Sequence, residues 1–253
     1  MVKFSAENWE IDNIETVLFD KDGTFIDLHY FWGKMTELRA EAIIKRYGLG
    51  KDALDKICLS LGYDVNAQEM LADGITALYS RSKIIEIFGA DLKKIFGLDI
   101  STDELANIFD EVSETFYKDI NSYTKPIAAA VEFIKALYAK GVKLGVVTSD
   151  SVVSTNLTLE YFGWKEMFGA ILGRESSPDT KESGALTKLA LEKLSANPET
   201  TVMIGDAPMD FYAAKNAGVN KTILVASGQI CLKNLQEISD FSVKTLSEIQ
   251  ITQ

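Results

Sequence analysis

The chain has 253 residues, of which 47% are hydrophobic and 25% charged, with a formal net charge of −11. Such a composition excludes a disordered chain and leaves room for one large domain or for a core with an inserted subdomain. The acidic balance, with no Lys/Arg-rich segment, argues against nucleic acid or an anionic membrane surface as a partner.

The N-terminal stretch MVKFSAENWEID contains no apolar run long enough for a signal peptide, and no segment approaches the length of a membrane span. A soluble, cytoplasmic protein is expected, as a monomer or a dimer. Cys58 and Cys231 lie far apart without metal-ligand spacing and read as buried, reduced thiols. With His29 as the single histidine, a zinc site of His and Cys is nearly excluded.

The first element is a short apolar strand, TVLFD, which runs into the loop KDGTFID. Two carboxylates at a strand end, Asp20 and Asp22, call for a positive partner. A calcium loop would need Gly and Glu where Phe25 and Phe31 stand, and a helix rather than a strand before it. A helical stretch follows, with Phe31, Met35, Leu38 and Ala42 at helical spacing until RYGLG breaks it. Ser101 with Glu104 then opens a second helix striped by Leu105, Ile108, Phe109, Val112 and Phe116.

From Pro126 onward, helices alternate with apolar strands. IAAAVEFIKALYAKG places Ala130, Phe133, Ile134, Leu137 and Tyr138 on one face and ends at Gly141. VKLGVVTSD, GAILG, GALTKLALEKLSA, TVMIGD, MDFYAAKNAG and KTILVAS complete the series. Unbroken Val/Ile/Leu runs between amphipathic helices indicate a parallel sheet with helices on both faces. The expected fold is therefore an α/β, Rossmann-like parallel sheet core, residues 1–24 and 125–253, with an inserted all-helical cap at residues 25–124.

In such a sheet, Asp20 with Asp22, Thr148 with Ser149, and Asp206 fall at the carboxyl ends of three strands, where ligands bind. Carboxylates from separate segments can hold a hard divalent cation such as Mg²⁺, which takes one or two of them together with water and phosphate oxygens. Each residue also has an ordinary reading. Asp and Gly suit turns, Thr148 and Ser149 suit a helix cap, Asp210 suits a first helical turn opened by Pro208, and Lys181 suits a solvated loop.

Taken together, DKDGT, VVTSD, Lys181 and GDAPMD match in order and spacing the four motifs of the haloacid dehalogenase superfamily of phosphohydrolases. The chain resembles the branch with a helical cap, near phosphoglycolate phosphatase. Close relatives carry Pro after the third-motif lysine, whereas Glu182 stands here. The resemblance implies a phosphatase acting on a small phosphorylated metabolite, phosphoglycolate-like or a sugar phosphate. Asp20 would be the nucleophile and Asp22 the general acid and base. Thr148, the backbone around Ser149, and Lys181 would hold the phosphate. Asp20, the carbonyl of Asp22, and Asp206 would bind Mg²⁺, with Asp210 beside them.

Asp22 argues against a dehalogenase, which lacks the second aspartate. A phosphomutase or phosphotransferase of the same superfamily would use the same motifs, although Thr24 points toward a phosphatase, and a non-catalytic regulatory protein could retain the fold. Just after the first motif, DLHYFW places His29 and Tyr30 where a cap would hinge. They are expected to shape substrate specificity, with Arg39 or Arg81 as further candidates for an anionic substrate.

Overall fold

A computed structural model describes residues 1–253. The chain opens with an antiparallel pair, β1 (Val2–Ala6) and β2 (Trp9–Ile14), and then enters β3 (Thr16–Phe19). All four residues of β3 are buried, as its unbroken apolar run requires of a strand covered on both faces.

The next segment is a unit of its own, Leu28–Thr124. It comprises α1 (Leu28–Tyr47), α2 (Ala53–Ser60), a hairpin of β4 (Tyr63–Asp64) and β5 (Glu69–Met70), α3 (Ile75–Leu78), α4 (Arg81–Phe96) and α5 (Thr102–Lys118). The hairpin is an addition to the all-helical insert expected from sequence; strands two residues long carry too little pattern to be read. Helix α5 starts where Ser101 Oγ accepts from the Glu104 amide, at 3.2 Å, and its five striped positions are all buried. On α1, Phe31 and Met35 are buried, whereas Leu38 and Ala42 are half-buried and line a surface groove with Val112.

The remaining elements are α6 (Ala128–Ala139), β6 (Lys143–Val147), α7 (Val152–Tyr161), β7 (Ala170–Leu172), α8 (Ala185–Leu194), β8 (Thr201–Gly205), α9 (Pro208–Asn216), β9 (Thr222–Val225), α10 (Leu232–Gln236), β10 (Phe241–Val243) and β11 (Gln250–Thr252). Together with residues 1–27 they form the second unit, Met1–Asp27 with Lys125–Gln253. Its main sheet has six strands in the order β10-β9-β8-β3-β6-β7, paired in parallel throughout. A second, antiparallel sheet of order β11-β1-β2 joins the two chain ends. The segments on either side of the insert are bonded to each other, Asp27 N to Lys125 O at 2.8 Å and Ile127 N to Phe25 O at 2.9 Å.

Two local expectations need correction. Tyr138 is 49% exposed, although its helical spacing from Ile134 put it on the buried face of α6. It stands one residue from the end of that helix. Cys231 is exposed at the start of α10, so only Cys58 is the buried thiol expected of both. No helix is long and apolar enough to cross a membrane.

Candidate active site

Strand β3 occupies the centre of the parallel sheet, between β6 and β8. Phe19 is in register with Val146 on one side and with Ile204 on the other. The residues that leave these strands, Asp20, Thr148 and Asp206, therefore emerge from adjacent positions along the carboxyl edge. The Asp20 amide is still tied to the Ile204 carbonyl at 2.8 Å. This edge is the crevice that doubly wound sheets use for ligands.

Asp20, Asp206 and Asp210 are all buried, and each offers a carboxylate oxygen within 4.8 Å of the others. Lys181 Nζ lies 2.5 Å from Asp20 Oδ1 and 2.5 Å from Asp210 Oδ1. Lys181 is itself 6% exposed, so it is no solvated loop lysine. Its short turn is anchored to α9, where the Asn216 side chain donates to the Glu182 carbonyl at 2.8 Å. That bond ties the loop down at Glu182, directly after the lysine.

Asp210 has two tasks. One carboxylate oxygen meets Lys181, and Oδ2 accepts from the Ala207 amide at 3.1 Å, so it also caps the first turn of α9.

The electrostatics of the cluster are those of too many acids in a dry place. Burial, together with the charges of Asp20 and Asp210, pushes the Asp206 carboxyl well above its ordinary value. Burial raises Asp210 to about 6 against the pull of Lys181. Burial by itself would lower the Lys181 ammonium, yet Asp20 and Asp210 hold it above its ordinary value. Three carboxylates against one ammonium leave an excess of negative charge. The donor set is all oxygen, which suits a hard cation of the Mg²⁺ kind.

Backbone glycines make room for Asp206. A Cβ built at Gly23 would meet Asp206 Oδ2 at 2.3 Å, and one at Gly228 would meet the same atom at 1.7 Å. Gly23 also adopts φ +84°, where a side chain is strained in any case. This explains the glycine after Asp22: the loop must turn left-handed directly against the carboxylate of β8. Ser227 completes the cradle by donating to the Gly23 carbonyl at 2.6 Å. Ser227 and Gly228 were missed in the sequence, where they stand as ordinary loop residues after β9.

Asp22 is also buried and lies against a lysine from its own loop. Lys21 Nζ is 2.7 Å from Asp22 Oδ1 and 3.0 Å from Asp150 Oδ2. Burial, reinforced by the charges of Asp150 and Asp20 and opposed by Lys21, raises the Asp22 carboxyl to about 6. Thr148 is buried, and its Oγ1 accepts from the Asp150 amide at 3.1 Å. Ser149 is exposed and donates to Met209 Sδ at 3.3 Å. Neither residue caps α7, a role that Ser151 takes by accepting from the Ser154 amide at 3.0 Å. Neither Lys21 nor Asp150 had been singled out from the sequence.

In the inserted unit, His29 Nδ1 accepts from the Met70 amide at 3.0 Å, and Tyr30 Oη donates to the Ser122 carbonyl at 2.9 Å. Arg39 is buried with its guanidinium 4.1 Å from the Phe109 ring centroid. Arg81 pairs with Asp110 at 2.6 Å. All four side chains thus have internal contacts in their own unit.

The chain is 27% identical over 236 residues to a phosphoglycolate phosphatase of Aquifex aeolicus, covering 93% of this chain and 95% of that protein. It is also 27% identical over 207 residues to pyrophosphatase PpaX of Listeria monocytogenes, covering 81% and 80%. A crystal structure of a predicted phosphoglycolate phosphatase from Haemophilus somnus superposes with a TM-score of 0.72 over 94% of this chain and 97% of that one, at 18% identity. The model of the haloacid dehalogenase-like hydrolases matches residues 65–225, which include Thr148, Lys181, Asp206 and Asp210. With that match over more than half its length, the chain belongs to the haloacid dehalogenase-like hydrolase family.

Proposed function

We propose that the protein is a Mg²⁺-dependent phosphomonoester hydrolase acting on a small phosphorylated metabolite, phosphoglycolate-like or a sugar phosphate. The observation that carries this reading is the buried Asp20–Lys181–Asp210 ion-pair chain with Asp206 beside it, at the carboxyl end of the central strand. The phosphoglycolate phosphatase relative supports monoester hydrolysis, and the pyrophosphatase relative supports hydrolytic phosphoryl transfer more broadly.

In this reading Asp20 attacks phosphorus, the bond to the leaving oxygen breaks, and Asp22 gives that oxygen its proton. Water then attacks the resulting aspartyl phosphate while Asp22 takes a proton back, and inorganic phosphate leaves. An ionised carboxylate needs no base to become a nucleophile; its difficulty is repulsion from the phosphate. At 4 Å and an effective dielectric near 20, that repulsion is about 4 kcal/mol per pair of unit charges. Lys181 offsets it, and Thr148 and the backbone at Ser149 orient the phosphate oxygens. Asp20, Asp206 and the carbonyl of Asp22 would hold Mg²⁺, with Asp210 at its margin, and the ion would add positive charge against the phosphate oxygens. Asp22, raised to about 6, is suited to carry a proton in one step and lose it in the next. His29 and Tyr30 are proposed to contribute to substrate choice.

The test is phosphate release from 4-nitrophenyl phosphate with Mg²⁺ and with a chelator. Activity should require the metal and vanish in Asp20→Asn, which keeps the size of the side chain but loses the attacking oxygen. Retention of a tenth of wild-type turnover by that variant would remove Asp20 from the role of nucleophile.

A further inference from the structure

We propose that Lys21 is a positioning residue that aims the carboxylate of Asp22. The proposal rests on the acid–base role given to Asp22 above. Lys21 is fully buried, and its ammonium lies between two carboxylates, 2.7 Å from Asp22 Oδ1 and 3.0 Å from Asp150 Oδ2. It therefore links the loop after β3 to the loop after β6, which are adjacent in the sheet but far apart in sequence.

The far end of this link is itself held. Asp150 Oδ1 accepts from the Ser151 amide at 2.7 Å, and the Asp150 carbonyl accepts from the Arg174 amide at 3.0 Å. Restraint passes from the loop after β7 to Asp150, then to Lys21, then to Asp22. A buried ammonium is a poor choice for stability, because an apolar side chain of similar volume commonly serves as well or better. What it supplies is direction. It holds one oxygen of Asp22, and so fixes the plane of a carboxylate that must meet the leaving oxygen and later a water. Small errors in such placement reduce rates by about 100-fold.

The experiment compares kcat/KM for an alkyl phosphate, whose leaving group needs a proton, with kcat/KM for 4-nitrophenyl phosphate, whose leaving group does not. In Lys21→Met, the ratio of the two should fall by roughly 10–100-fold, as expected when the proton donor is misplaced rather than removed. With the aryl substrate, phosphorylated enzyme should accumulate, because its hydrolysis uses the same carboxylate.

Asp150→Asn keeps the lysine but releases its far anchor. It should show a smaller selective loss and decides the matter if Lys21→Met does not fold. Equal losses on both substrates in the folded variants, or no loss, would overturn the positioning role. Asp22→Asn separates the two levels of the argument. If it is selective while the Lys21 and Asp150 variants are not, only the role of Lys21 fails. If Asp22→Asn is itself unselective, the acid–base reading fails and takes this proposal with it.

Discussion

Replacing Asp206 by Asn should make the metal-free protein more stable while destroying its response to Mg²⁺. The side chain keeps its size in the cradle of Gly23 and Gly228 but loses its charge. In the wild type, Asp206, Asp20 and Asp210 have oxygens within 4.8 Å of one another. At that separation and an effective dielectric near 20, each ionised pair repels by about 3.5 kcal/mol. Attraction to Lys181 cancels part of this, and burial with the charges of Asp20 and Asp210, which push the Asp206 carboxyl well above its ordinary value, lessens it further. A net relief of about 1–3 kcal/mol is expected, which for a protein of this size corresponds to a rise in Tm of roughly 2–12 °C.

The assay is thermal unfolding in EDTA and across a Mg²⁺ titration. Wild type should gain about 1.4 kcal/mol when the free ion reaches ten times its Kd, and the variant should gain almost nothing. An Asp206→Asn protein that melts below wild type in EDTA, or that shifts equally with Mg²⁺, would refute the account of this cluster as a site strained by its own charge.

Other perturbations probe neighbouring parts of the site. Gly228→Ala would bring a methyl group to 1.7 Å from Asp206 Oδ2, so the loop or the carboxylate must move. A loss of about 1–3 kcal/mol in stability is expected, together with a higher Mg²⁺ midpoint; an unchanged midpoint would show that the cradle does not position Asp206. Asp22 and Asp210 have folded values of about 6 against an ordinary 3.8, so the folded metal-free protein binds more protons than the unfolded chain. The stability they contribute is fully present below pH 3.8 and lost as pH rises through about 6. In EDTA the Tm should therefore fall between pH 5 and 7.5, less steeply in Asp22→Asn, and a Tm that rises over this range would contradict the sign.

Much of the site was legible in the sequence because its logic is topological. A buried parallel strand reads as a continuous apolar run, and TVLF, KLGVV and TVMIG each do so. Once these are parallel neighbours, the residues after them must share an edge, whatever the details of packing. The motif glycine of KDGT was equally legible as a turn, although its second reason, the carboxylate of Asp206 against its Cα, was not.

What stayed hidden depended on contacts across long separations, which leave no periodic trace. Lys21 follows Asp20 and carries no pattern of its own until the register of β3 with β6 brings Asp150 to its ammonium. Ser227 and Gly228 acquire meaning only because the loop after β9 folds back onto the loop after β3. The sheet of β11, β1 and β2 joins the two ends of the chain through strands only partly buried, so neither end carries a continuous apolar signal. Local pattern determined which segments became strands and helices and which residues stood at their ends. Tertiary structure alone decided which charges would neutralise one another, because the cost of burying a carboxylate is settled by its nearest neighbours in space.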